Sequence, residues 1–141
     1  MIEFKRHIKY SAYTLTCKDK FDDEFGWMGK YPIDCNIFYE VREGKKFIGA
    51  FYGTDFSFDD RWFEVPTFQI LYLFVNPKYR KKGYGGKILE FVKTLPFDRI
   101  EIHSTRERIS FYRKFGFKRY KYQSNDEECV WMYYERKSKK L

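Results

Sequence analysis

The chain has 141 residues, 23% aromatic and 34% charged, a balance that favours one folded domain spanning 1–141 over a disordered chain. No apolar run nears the ~20 residues of a membrane span, and Met1 to His7 lacks the apolar stretch of a secretion signal. The net charge of +8 is lopsided: residues 1–75 carry 10 basic and 12 acidic side chains, residues 76–141 carry 18 and 8. That asymmetry points to an anionic ligand or partner of the second half, against the plainer alternative of solubility plus a basic tail, Arg136-Lys137-Ser138-Lys139-Lys140.

Residues 8–16 have strand character, and 20–30 suit a short helix or loop. Cys17, Cys35 and Cys129 are odd in number, far apart and without a C-x-x-C pair. Neither a zinc site nor a disulfide framework is therefore expected, and reduced cysteines in the cytoplasm are the simplest account. Ile37, Phe38, Tyr39 and Val41 mark a strand over 36–42, Glu43-Gly44-Lys45 a turn, and 46–54 a second strand, hence a hairpin. A polar and aromatic loop follows over 55–64. The run from Phe68 to Val75 is almost continuously apolar, as in a central strand covered on both faces, and Asn76-Pro77 ends it. Tyr84, Ile88, Val92 and Leu95 recur at helical spacing within 83–95, where Pro96 stops the helix. Residues 99–103 alternate as a short strand. Ser104-Thr105-Arg106-Glu107 has the S-x-x-E pattern of a capping box, and the helix it would start ends at Phe115 with Gly116 as cap. Strands over 117–123 and 129–135 close the chain around Ser124-Asn125-Asp126-Glu127. This order predicts an α/β (α+β) fold, a mixed sheet packed by helices.

The segment after the central strand, Asn76-Pro77-Lys78-Tyr79-Arg80-Lys81-Lys82-Gly83-Tyr84-Gly85-Gly86-Lys87, has the makings of a phosphate site. A helix N-terminus offers unpaired N–H groups and partial positive charge, glycines admit a ligand close to the backbone, and Arg80, Lys81, Lys82 and Lys87 add attraction. It is not a Walker A loop: Ile88 follows Lys87, and Lys81 stands where the first glycine is required. It is not a dinucleotide fingerprint either, since Ile88 occupies the third glycine position after Gly83-Tyr84-Gly85.

What the segment does match is R-x-x-G-x-G, Arg80 to Gly85, directly after an apolar strand. Phe111-Tyr112-Arg113-Lys114-Phe115-Gly116-Phe117 follows as F-Y-x-x-x-G-F. Together these resemble the GNAT superfamily of N-acetyltransferases over roughly 68–117. The resemblance implies a GNAT-like acyltransferase fold whose mixed sheet splays open at the CoA site between flanking helices. It also implies acetyl-CoA as cosubstrate. Backbone N–H groups from Lys81, Lys82, Gly83, Tyr84, Gly85 and Gly86 would hold the pyrophosphate, and the backbone of Phe74 and Val75 would pair with the pantetheine arm.

Tyr112 corresponds to the family's tyrosine that protonates the departing thiolate, a task suited to a weakly acidic phenol. The competing reading is a core aromatic. Gln69 stands where histone-type members carry a glutamate base; a glutamine cannot take a proton, so it either orients the amine or a water, or satisfies a backbone group. His103 is a candidate base, since an unperturbed histidine titrates near neutrality, against a plain surface or capping role. Glu64 can attract an amine or simply be solvated. The clusters Asp22-Asp23-Glu24 and Asp59-Asp60 would suit a cationic acceptor, and Phe56, Phe58, Trp62 and Phe63 either line its pocket or cover the core. The expected partner is thus an amine acceptor, small or protein-borne, of a monomer or homodimer with no membrane or metal. Protein N-terminus, lysine, polyamine, aminoglycoside and aminoacyl-tRNA all remain open. The alternatives are a basic nucleic-acid-binding protein on the same fold with degenerate catalysis, and a toxin that acetylates aminoacyl-tRNA.

Overall fold

The computed structural model describes residues 1–7, 37–57, 64–121 and 129–136. The expected strand over 8–16, the segment 20–30, Cys17, Cys35, both acidic clusters, Phe58, Trp62, Phe63, the loop 124–127 and the tail beyond Arg136 lie outside them. The strands are β1 (Ile2–His7), β2 (Ile37–Glu43), β3 (Lys46–Asp55), β4 (Thr67–Val75), β5 (Arg99–Thr105), β6 (Lys118–Arg119) and β7 (Cys129–Glu135). The helices are α1 (Tyr84–Val92) and α2 (Ile109–Lys114), preceded by single 3-10 turns at Pro77–Tyr79 and Arg106–Arg108. The seven strands are hydrogen-bonded in the order β1-β2-β3-β4-β5-β7-β6, a mixed sheet as expected. The chain divides into two compact units, Met1–Thr54 with Tyr72–Tyr84, and Asp55–Leu71 with Gly85–Leu141.

In the first unit β1 pairs antiparallel with β2, from Ile2↔Glu43 to His7↔Phe38; sequence reading had no strand before residue 8. The predicted hairpin is present, closing at Glu43↔Lys46, and Gly44 takes the positive φ of 60° that a tight hairpin turn requires. Aromatic packing fills this unit: Tyr39 stacks on Phe51 at 5.1 Å and Phe38 on Tyr52 at 6.1 Å. Gly49 lies against the backbone of β4. A Cβ there would stand 2.1 Å from the Phe74 carbonyl oxygen, so only glycine permits the approach. Asn76 then locks the strand end: its N–H donates to the Ile48 carbonyl (2.7 Å), and its Nδ2 to that of Phe47 (2.9 Å). Its Oδ1 accepts from the Lys78 N–H (3.1 Å).

In the second unit β4 runs parallel to β5 from Thr67↔Arg99 to Ile70↔Ile102, and β5 runs antiparallel to β7 as far as Thr105↔Cys129. β4 is covered on both faces only at its start. Leu71 is 39% exposed and Tyr72 and Leu73 are half-buried, because the ladder with β5 ends at Ile70. Phe68, Ile70, Ile88, Leu89, Val92, Ile100, Phe117, Val130 and Met132 form the core.

α1 stops at Val92, short of the expected Leu95. Thr94 N–H bonds to the Phe91 carbonyl and Leu95 N–H to that of Val92, tightening the end into three-residue turns ahead of Pro96. Arg136, expected in a basic tail, donates to the Lys93 and Leu95 carbonyls at this helix end. The capping box does not form. The β5–β7 ladder claims the backbone of Ser104 and Thr105, Thr105 makes no side-chain cap, and α2 starts only at Ile109. Its other end is as expected: Gly116 has φ 89°, its N–H bonds to the Arg113 carbonyl, and Phe117 N–H bonds to that of Tyr112. This is a Schellman cap, completed by Phe117 against Tyr112 at 5.8 Å. Gly116→Ala is expected to cost about 1–2 kcal/mol, because alanine resists that φ while its Cβ finds room. A denaturant midpoint equal to wild type would refute this.

Candidate active site

The loop from Asn76 to Gly86 is built on the end of β4. Arg80 turns back and donates from Nε to the Val75 carbonyl (2.7 Å), its guanidinium 5.6 Å from the Phe74 ring. Lys81 has φ 65° and Gly83 φ 87°. A lysine held in the left-handed region is strained, and such residues turn successive backbone N–H groups to one side, the concave arrangement that takes anions. α1 starts immediately after, with no acidic residue in its first turn. Lys81, Lys82 and Lys87 are exposed, whereas Phe74 is buried and Val75 half-buried.

The loop is also tied to the β2–β3 hairpin. Tyr84 Oη donates to Glu43 Oε1 at 2.9 Å, and that carboxylate raises the phenol above the ordinary tyrosine range. Tyr79 meets Tyr84 edge-on at 6.3 Å, and Lys46 and Lys82 lie 6.0 and 5.8 Å from the Tyr79 ring. These contacts fix the loop's shape before any ligand arrives.

Gly85 and Gly86 also have a packing role. A Cβ on Gly86 would lie 2.6 Å from Phe115 Cζ, and one on Gly85 3.1 Å from Phe111 Cζ. Their bareness lets α1 lie close on α2. The glycine motif and F-Y-x-x-x-G-F are thus two sides of one helix–helix contact, which explains why they occur together.

Tyr112 lies on α2, 4% exposed, edge-on to Phe111 and Phe117. Among the described residues its hydroxyl has no hydrogen-bond partner. Burial raises its pKa above the ordinary tyrosine value, with Arg108 opposing in part.

Gln69 is drawn into a network that sequence reading missed. Its Nε2 donates to Glu101 Oε1 (2.8 Å), and Tyr120 Oη donates to Glu101 Oε2 (2.7 Å). Glu101 is 6% exposed. The available signal was the alternation Arg99-Ile100-Glu101-Ile102-His103, which puts Glu101 on the face opposite the isoleucines, level with Gln69 across a parallel pair. His103 and Glu64 do not join this network. His103 is exposed and stacked on Trp131 at 4.4 Å, on a strand that continues to Thr105, and Glu64 is exposed.

A family model described as an acetyltransferase (GNAT) domain matches residues 34–119. No curated protein sequence matches the chain. Among solved structures, the chain is similar to a GNAT family acetyltransferase from Elizabethkingia anophelis with acetyl-CoA bound, at 19% identity and TM-score 0.68, over 96% of this chain and 98% of that one. It is similar to an IAA acetyltransferase from Bacillus cereus at 17% identity and TM-score 0.66, over 96% and 100%. A spermidine/spermine N-acetyltransferase from Vibrio cholerae aligns at 12% identity and TM-score 0.58, over 96% and 95%.

Proposed function

We propose, because the chain belongs to the GNAT acetyltransferase family, that it moves an acetyl group from acetyl-CoA to a primary amine by direct attack in a ternary complex. The observation that carries this reading is the loop before α1. Positive φ at Lys81 and Gly83, a helix start without acidic residues and exposed Lys81, Lys82 and Lys87 fit a pyrophosphate. Acetyl-CoA, when bound, supplies the activated thioester. The N–H groups of residues 81–86 bind its phosphates, with Arg80 fixing the loop and Lys87 adding charge. The backbone of Phe74 and Val75 orients the pantetheine arm, and N–H groups near the strand end stabilise the oxyanion. Tyr112 holds a proton for the leaving thiolate, a role its raised pKa supports. Residues 1–141 act as one domain, in the cytoplasm.

The acceptor is a cationic amine in this reading, in keeping with Asp22-Asp23-Glu24 and Asp59-Asp60. Calorimetry is expected to give acetyl-CoA binding below about 1 mM, weakening with salt. Absence of binding in that range would remove the proposal. A thiol-release screen of acetyl-CoA with spermidine, Nα-blocked lysine, a tripeptide with free N-terminus, an aminoglycoside and aminoacyl-tRNA identifies the acceptor class.

A further inference from the structure

Resting on the acetyl-transfer reading, we propose that Glu101 is the general base, taking on β5 the part that Gln69 cannot play on β4. The two are register partners of a parallel pair, joined by a 2.8 Å hydrogen bond. Glu101 is buried, yet among the described residues it has no ion-pair partner. A carboxylate withdrawn from water without a cation is costly, and a purely structural polar contact would be made more cheaply by a neutral side chain.

Its two hydrogen bonds come from neutral donors, the Gln69 amide and the Tyr120 hydroxyl, one to each oxygen. Each oxygen therefore keeps a lone pair free for a proton or an ammonium group. The frame is rigid: Tyr120 stacks on Tyr133 at 4.5 Å and 29°, and Tyr133 is Glu101's register partner on β7. Arg99 and His103 flank it along β5, but the Arg99 guanidinium is engaged by Glu135 at 2.5 Å and the His103 ring by Trp131. The basic groups beside it on β5 are thereby committed elsewhere, and Lys118, two strands across on the same face through Tyr133, is exposed.

The reaction closes as follows. The acceptor ammonium gives one proton to Glu101, directly or through one water, and its nitrogen lone pair attacks the thioester carbonyl carbon. The C–N bond forms, the C–S bond breaks, and the electron pair leaves on sulfur. Tyr112 protonates the thiolate, the second amine proton restores the phenol, and Glu101 releases its proton to water. The products are the amide, CoA thiol and one proton.

Glu101→Gln keeps the shape and leaves a partner for both Gln69 and Tyr120, so acetyl-CoA affinity and melting temperature are expected to hold. With the best amine of the panel, kcat should fall about 100-fold or more and lose its decline towards acid pH. The exchange Gln69→Glu/Glu101→Gln moves the carboxylate across the same hydrogen bond, and should recover at least about tenfold in kcat together with the acid limb. A Glu101→Gln enzyme within about twofold of wild type, or a loss that the exchange does not recover, overturns the base assignment while acetyl transfer stands. A wild type that acetylates none of the amines overturns both.

Discussion

Gly49→Ala is expected to destabilise the protein by about 3 kcal/mol or more, lowering the melting temperature by about 10 °C. The added methyl would stand 2.1 Å from the Phe74 carbonyl oxygen, 3.1 Å from its carbon and 3.2 Å from the Val75 Cα. All three are backbone atoms, so no rotamer change relieves the clash. β3 and the end of β4 must separate, and the Asn76 bonds to Phe47 and Ile48 stretch with them. Because Phe74 and Val75 are the residues proposed to guide the pantetheine arm, acetyl-CoA affinity should fall in parallel with stability. Gly44→Ala is the control: its Cβ meets nothing within 4 Å, so it bears only the cost of a positive φ, about 1–2 kcal/mol, and should leave affinity alone. Equal stability losses in the two variants would contradict the steric account.

Tyr112→Phe should lower kcat by about 100-fold or more while the acetyl-CoA dissociation constant stays within about twofold. The phenol sits among Phe111 and Phe117, and removal of its oxygen leaves those ring contacts intact. Unchanged turnover would remove Tyr112 from the mechanism. The pH dependence has a definite sign. Burial raises the folded-state pKa, so the native state holds this proton more tightly than the unfolded chain. The associated stability is complete below the ordinary tyrosine range near ~10 and is lost as pH rises through that range to the raised value. The Phe variant should lose that alkaline decline in stability, visible in melting curves.

The sequence disclosed the parts of the fold whose signals are local. β7 and the hairpin are where alternation and Gly44 put them, and the Gly116 cap follows from a helix that can end in no cheaper way. Where two local rules competed, the long-range one prevailed: Ser104 and Thr105 could cap a helix or extend a strand, and pairing with Val130 and Cys129 decided for the strand. The site followed the same division. The loop residues proposed to bind acetyl-CoA, and Tyr112, belong to contiguous motifs that are legible locally. Glu101 is not, because its meaning depends on parallel register with Gln69, 32 residues away, and on Tyr120 from a third segment. The packing role of Gly85 and Gly86 was equally hidden, since their neighbours Phe111 and Phe115 come from a helix distant in sequence.

The strand order has a consequence for how copies of the protein meet. Among the described residues its terminal strands are β1, carrying Glu3, Lys5 and Arg6, and β6, made of Lys118 and Arg119. A two-residue basic edge offers an incoming strand little backbone to pair with and a like charge to approach. The sheet is thereby shielded at that end from edge-to-edge aggregation, and in concentrated solution added salt, which screens the repulsion, should be what first weakens the protection.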